Sequence, residues 1–150
     1  MAIDSSNEPR PAASSSVGPS TESYLSPHFR QRELACPCCG RAEVTAELVA
    51  ALEALRALSG RPILIHSGFR CAAHNAAIGG EPHSYHCRGM AADIGIATLS
   101  GRQIVELARQ LPAFHGFGAA PEWAHVDVRP TEHIALWSYG PRREIGPFTV

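Results

Sequence analysis

Residues 84–95 read SYHCRGMAADIG, a turn that runs into a strand. Gly89 lies between His86 and Asp93 and argues against one continuous helix through both. From Met90 to Ile96 the pattern is that of a strand. Met90, Ala92, Ile94 and Ile96 take one face; Ala91, Asp93 and Gly95 take the other. The first face is made for a core. The second holds Asp93 between two small residues, uncrowded enough for a metal ion to approach. A companion segment follows at residues 121–129, PEWAHVDVR. Its alternation turns Ala124, Val126 and Val128 to one side and His125, Asp127 and Arg129 to the other. Glu122 stands three positions before His125, where strict strand geometry would turn it to the opposite face. It is therefore expected on a bend at the strand's entrance.

His86, Asp93 and His125 supply two imidazoles and a carboxylate, a three-ligand set suited to a catalytic zinc that keeps its fourth position for water. Glu122 is the natural general base for that water. Each residue alone has an ordinary explanation: a polar loop histidine, a capping aspartate, a surface glutamate. The four together favour a hydrolytic metal centre. Asp127 reads as an acceptor that orients an imidazole, or as a partner for Arg129. Arg70, in the segment SGFR, follows a strand end. A guanidinium there suits a substrate carboxylate or an oxyanion, and equally a structural ion pair. Ser84 either bonds a ligand carboxyl or turns the loop. His28, His66, His74, His83, His115 and His133 have no defensible ligand spacing, although His83 lies near His86.

The rest of the chain frames this centre. Residues 1–23 are rich in Ser, Pro, Ala and Glu and cannot bury enough surface to offset ordering, so they read as a disordered leader. Residues 24–150 read as one domain of modest size. The best helix runs from Thr45 to Leu58, with Leu48, Leu52, Leu55 and Leu58 as its stripe, Thr45 as N-cap and Gly60 as stop. Pro62–His66 reads as a short buried strand, and SGFR and a loop with Gly79 and Gly80 follow it. Ser100 caps a helix through Leu111, which Pro112 ends; Ile104, Leu107, Ala108 and Leu111 form its buried stripe.

Composition narrows the function classes. The hydrophobic fraction is 45% and the formal net charge is −1, which leaves no electrostatic footprint for nucleic acid or an anionic membrane. The basic pair Arg142 and Arg143 is followed by Glu144 and reads as a solvated turn. No stretch approaches the roughly 20 apolar residues of a membrane span. The N-terminus lacks a basic start followed by an apolar run, so the product is expected to begin in the cytoplasm unless another route exports it. Cys36, Cys38, Cys39, Cys71 and Cys87 make an odd number and are expected as thiols. Cys36 and Cys39 form a C-x-x-C without a second pair, so a structural zinc is a weak reading and inert thiols are preferred. A Cys71–Cys87 disulfide is a further option whose geometry the sequence does not test.

The elements SGFR, NAAIGG, SYHCRGMAADI and EWAHVDV together resemble the zinc D-Ala-D-Ala carboxypeptidases and their relatives, the D-alanyl-D-alanine dipeptidases and phage L-alanyl-D-glutamate endopeptidases. The likeness runs from about Phe29 to Val128. It implies an α+β domain with a small antiparallel sheet flanked by helices, the fold of the hedgehog signalling domain. It also implies zinc held by His86, Asp93 and His125, Glu122 as base, and Arg70 on substrate or transition state. Phe69 replaces a common Tyr, and the CPCCG segment is similar to one near the start of some members. The expected activity is hydrolysis of peptidoglycan stem peptides by a monomer, of D,D-carboxypeptidase or L,D-endopeptidase type. A non-catalytic zinc-stabilised binding module of the same fold is the alternative. An absent export signal fits release of a phage enzyme, a cytoplasmic dipeptidase-like role or another export route.

Overall fold

The structure, a computed structural model, describes residues 23–139 and 144–146. The leader, apart from Ser23, and the Arg142–Arg143 pair lie outside the described residues. Strands β1 (Tyr24–Ser26) and β2 (Phe29–Arg30) pair as a small antiparallel hairpin, and a 3-10 turn follows at Gln31–Leu34. Helix α1 spans Ala46–Ser59. Thr45 caps it by accepting the Leu48 N–H at 3.1 Å, and Gly60 stops it at φ 71°, as a left-handed C-cap requires. Leu48, Leu52 and Leu55 are fully buried, but Leu58 is 41% exposed and falls outside the stripe.

The main sheet has six strands in the order β3 (Leu64–Ser67), β4 (Ala91–Gly95), β6 (Ala124–Asp127), β5 (Gly116–Ala119), β7 (Ala135–Tyr139) and β8 (Glu144–Gly146). All its pairings are antiparallel except β5 with β7, which is parallel. The expected small antiparallel sheet is thus the hairpin alone, and the larger sheet is mixed. Strand β3 lies at the sheet edge rather than buried inside it: Leu64 is 63% exposed. Helix α2 (Ala72–Ala77) occupies part of the span read as loop, and a 3-10 turn covers Tyr85–Arg88. Gly89 ends that turn at φ 71°; its carbonyl accepts the Thr45 N–H at 2.9 Å, and a side chain there would overlap the Glu43 carbonyl.

Helix α3 (Gly101–Ala108) has the Ser100–Gln103 capping box and is shorter than the pattern to Leu111. Its last carbonyls tighten into turns, with Leu111 N–H bonding the Ala108 carbonyl at 3.0 Å. One core joins α1 and α3 to a single sheet face: Leu48, Leu52, Leu55, Ile104 and Val105 meet Ala92, Ile94, Phe117, Ala124 and Val126. By the two-residue period of a strand, the alternate residues of β4, β5 and β6 face the other way. The functional side chains lie on that second face.

Candidate metal centre

Register brings the centre together. Asp93 on β4 is directly opposite His125 on β6, and His125 is opposite Gly118 on β5. His86 arrives from the 3-10 turn before β4, fixed by its backbone carbonyl, which accepts the Arg70 N–H at 3.2 Å. His86 Nε2 and His125 Nδ1 each stand 3.2 Å from the same Asp93 oxygen, Oδ1. The three donor atoms lie within 4.8 Å of one another. All three residues are buried, and they border a cleft of about 380 Å³.

The remaining ring nitrogens are occupied. His86 Nδ1 lies 2.8 Å from the Gly68 carbonyl, and His125 Nε2 lies 2.7 Å from Asp127 Oδ2. Each of these contacts needs a donating N–H, which leaves Nε2 of His86 and Nδ1 of His125 as lone pairs aimed at a carboxylate oxygen. Lone pairs facing one another at that range repel unless a cation lies between them. A proton can do this for one pair; a divalent ion does it for all three. The donor set therefore fits a zinc-type ion.

With protons rather than a metal between the donors, the same demand for positive charge shifts two of these groups. Burial pushes the Asp93 carboxyl up, but hydrogen bonds from His125 and His86 outweigh it and hold the group well below the usual carboxylate range. Burial pushes His125 down, while its bonds to Asp127 and Asp93 win and raise it. Asp127 is fully buried; against the cost of burial, Arg129 and His125 keep it strongly ionised. Asp127 fills both anticipated roles at once, since Arg129 Nε and Nη2 donate to its two oxygens at 2.8 and 2.7 Å.

Arg70 lines the cleft, and its guanidinium is also a structural partner. It donates to Asp93 Oδ2 at 3.2 Å, Asn75 Oδ1 at 3.1 Å and Ser67 Oγ at 3.2 Å. Ser84 lines the cleft as well, and its Oγ accepts the His86 N–H at 3.1 Å as the cap of the turn. Glu122 sits on the expected bend, yet it is exposed and borders a neighbouring cavity beside Pro62 and Leu99 rather than this cleft. Trp123 borders both.

Several cleft residues were given no role in a cleft by the sequence. Trp137 packs 5.2 Å from His125, Arg129 lies over the Tyr85 ring at 4.6 Å, and Glu81 and His83 line the rim. The alternation of Gly116, Phe117, Gly118 and Ala119 was the available signal for β5. Side chains at Gly116 and Gly118 would overlap the Asp127 carboxylate and the Trp137 indole.

Two imidazoles and a carboxylate, two from one sheet face and one from the turn beside it, define the class, a candidate metal centre of the kind that activates water in hydrolases. The Peptidase M15 family model matches residues 27–127, and the chain belongs to that family. The match contains all three donors, Arg70, Ser84 and Glu122. Comparison with curated proteins returns no match. Among the described residues, no helix is long and apolar enough to cross a membrane.

Proposed function

We propose that this peptidase-family domain, spanning residues 24–150, is a zinc-dependent hydrolase of peptidoglycan stem peptides, acting as a D,D-carboxypeptidase or L,D-endopeptidase. The observation that carries the reading is the convergence of His86 Nε2, Asp93 Oδ1 and His125 Nδ1 in a cleft open to a ligand. Zinc held by these atoms supplies a Lewis acid for the scissile carbonyl and activation of a water molecule. Arg70 holds Asp93 in place and presents its guanidinium to the cleft, where it stabilises the negative charge that develops on the carbonyl oxygen. Ser84 fixes the turn that presents His86 and bonds the substrate's carboxyl end. The Tyr85, Trp137 and Arg129 surfaces give the peptide an apolar wall with one cationic edge.

Glu122 is proposed as the base that takes a proton from water and returns it to the leaving amine. This role requires the Pro121–Glu122 bend to carry the carboxylate past Trp123. Glu81 already borders the cleft and is the competing candidate. Neither nucleic acid nor a membrane is a proposed partner, and the domain is proposed to act as a monomer with the α+β fold shared by hedgehog-type domains. Its site of action is proposed to be the cell wall.

Incubation of the zinc-loaded protein with purified muropeptides, read by product mass, tests the reading. Loss of one D-alanine or an internal cut is expected. Glu122→Ala should keep its zinc and lose most hydrolysis, and His86→Ala should lose the metal of the histidine centre. Full activity in Glu122→Ala with loss in Glu81→Ala would move the base to Glu81. The position of Glu122 outside the cleft is also what a non-catalytic zinc-stabilised module would show. Intact muropeptides after exposure to fully zinc-loaded protein would establish that alternative.

A further inference from the structure

A second group of soft ligands lies away from the cleft. Cys36 and Cys38 belong to the CPCCG segment, and Cys71 caps the N-terminus of α2. One sulfur from each lies within 4.8 Å of the others. Cys36 Sγ stands 3.7 Å from Cys71 Sγ, and Cys71 Sγ stands 3.9 Å from Cys38 Sγ. These separations exceed a disulfide bond of about 2.05 Å and suit the edges of a metal-thiolate tetrahedron, whose metal–sulfur distance is about 2.3 Å. All five cysteines, these three included, are unbridged.

The fold builds this arrangement from two chain segments. Phe69 N–H bonds the Leu34 carbonyl at 2.9 Å and brings the Gly68–Cys71 stretch against the start of the cysteine loop. The loop closes on itself: Cys36 N–H bonds the Arg41 carbonyl at 2.7 Å, and Gly40 N–H returns to the Cys36 carbonyl at 2.8 Å. Backbone donors then point at sulfur. Cys71 N–H lies 3.5 Å from Cys36 Sγ, and His74 N–H lies 3.4 Å from Cys71 Sγ. Such N–H bonds stabilise charge on sulfur, as they do around metal-bound thiolates. Cys36 and Cys71 are buried beside Phe69, whereas Cys38 is exposed.

We propose that Cys36, Cys38 and Cys71 form a second metal site, a three-thiolate seat for a zinc-class soft cation, separate from the histidine centre. Binding releases the thiol protons to solvent and forms metal–sulfur bonds, with solvent at the remaining corner on the exposed Cys38 side. Near the cluster, the Arg41 guanidinium pairs with Glu43 at 2.6 Å and lies over the Phe69 ring. The role of the site is structural. It staples the cysteine loop to the residue next to Arg70 and so fixes the chain that carries the guanidinium into the cleft.

The test is metal content of the full chain in reducing buffer, and it needs no peptidase assay. Wild-type protein should hold two zinc ions. His125→Ala should hold one, which an organomercurial that blocks thiols releases. Cys36→Ser/Cys71→Ser should hold one that the reagent leaves in place. Cobalt substituted into His125→Ala should show a thiolate-to-metal charge-transfer band that is absent after thiol alkylation. This cobalt measurement decides the matter even if the cysteine variant fails to fold. One zinc in the wild type, none in His125→Ala and no cobalt–thiolate band would overturn the site. So would a mass two hydrogens lighter with Cys36 and Cys71 joined after zinc loading in reductant.

Discussion

Asp127 shows how one buried carboxylate sets the chemistry of a neighbour. It has no exposed surface, takes the His125 Nε2–H and is held in turn by the Arg129 fork. An Asn here keeps the shape and loses the charge, so the imidazole is oriented less firmly and is less basic. Asp127→Asn should weaken zinc binding by roughly 10–100-fold, measured by competition with a chelator. Unchanged affinity would reduce Asp127 to a partner of Arg129. The alternation of His125-Val126-Asp127 made this residue readable in the sequence. Gly118 was not readable, because its constraint comes from Trp137 on the parallel neighbour β7. Gly118→Ala should push that indole away from His125 and cost about 1–3 kcal/mol as an overpacking change, measured by denaturant unfolding. A wild-type midpoint would show that Trp137 yields without cost.

Elements defined by local signals were legible, and those defined by distant partners were not. For α1, Thr45 and Gly60 act within a few residues of the helix they bound, and both hold their expected places. Thr45→Ala removes the acceptor for the Leu48 N–H and should cost about 1 kcal/mol, read as a shift in the unfolding midpoint. No shift would mean that the Thr45 backbone, bonded to the Gly89 carbonyl, holds the helix start alone. The β4 and β6 alternation was likewise visible, since one face of each strand is apolar throughout. By contrast, β3 looked buried because Ile63 and Ile65 pack inward; nothing local marks it as the edge, with Leu64 turned out. Strands β5 and β7 pair in parallel, a relation with no turn between them to announce it. The cysteine cluster escaped for the same reason. Its third member, Cys71, comes from beyond a helix and a strand, so no spacing rule reports it.

At the scale of the whole molecule, two long-range ties hold the layers in place. Glu53 on α1 accepts from Ser26 Oγ at 2.5 Å and from the His28 N–H at 2.8 Å, and so binds the β1–β2 hairpin to the helix. Burial pushes this carboxyl up, but the Ser26 and His28 bonds prevail and lower it. A lowered folded-state value means that its stabilisation is present above the ordinary glutamate range and is lost as pH falls through the folded value. Glu53→Gln should therefore be less stable than wild type at neutral pH, with the gap closing under acid. A gap independent of pH would assign the tie to shape rather than charge. The second tie is the histidine centre, which joins β4, β6 and the turn before β4 through lone pairs that repel without a cation between them. A metal bound there stabilises the folded chain alone, since the unfolded chain scatters its donors. Zinc at a hundredfold excess over its dissociation constant should add about 2.7 kcal/mol. Melting with chelator, and then with graded zinc, should show a midpoint that rises with the logarithm of free metal. His86→Ala should lose the part of that rise that a thiol-blocking reagent leaves in place. If His86→Ala responds to zinc as the wild type does under thiol block, the ion that stabilises the fold is not held by His86, Asp93 and His125.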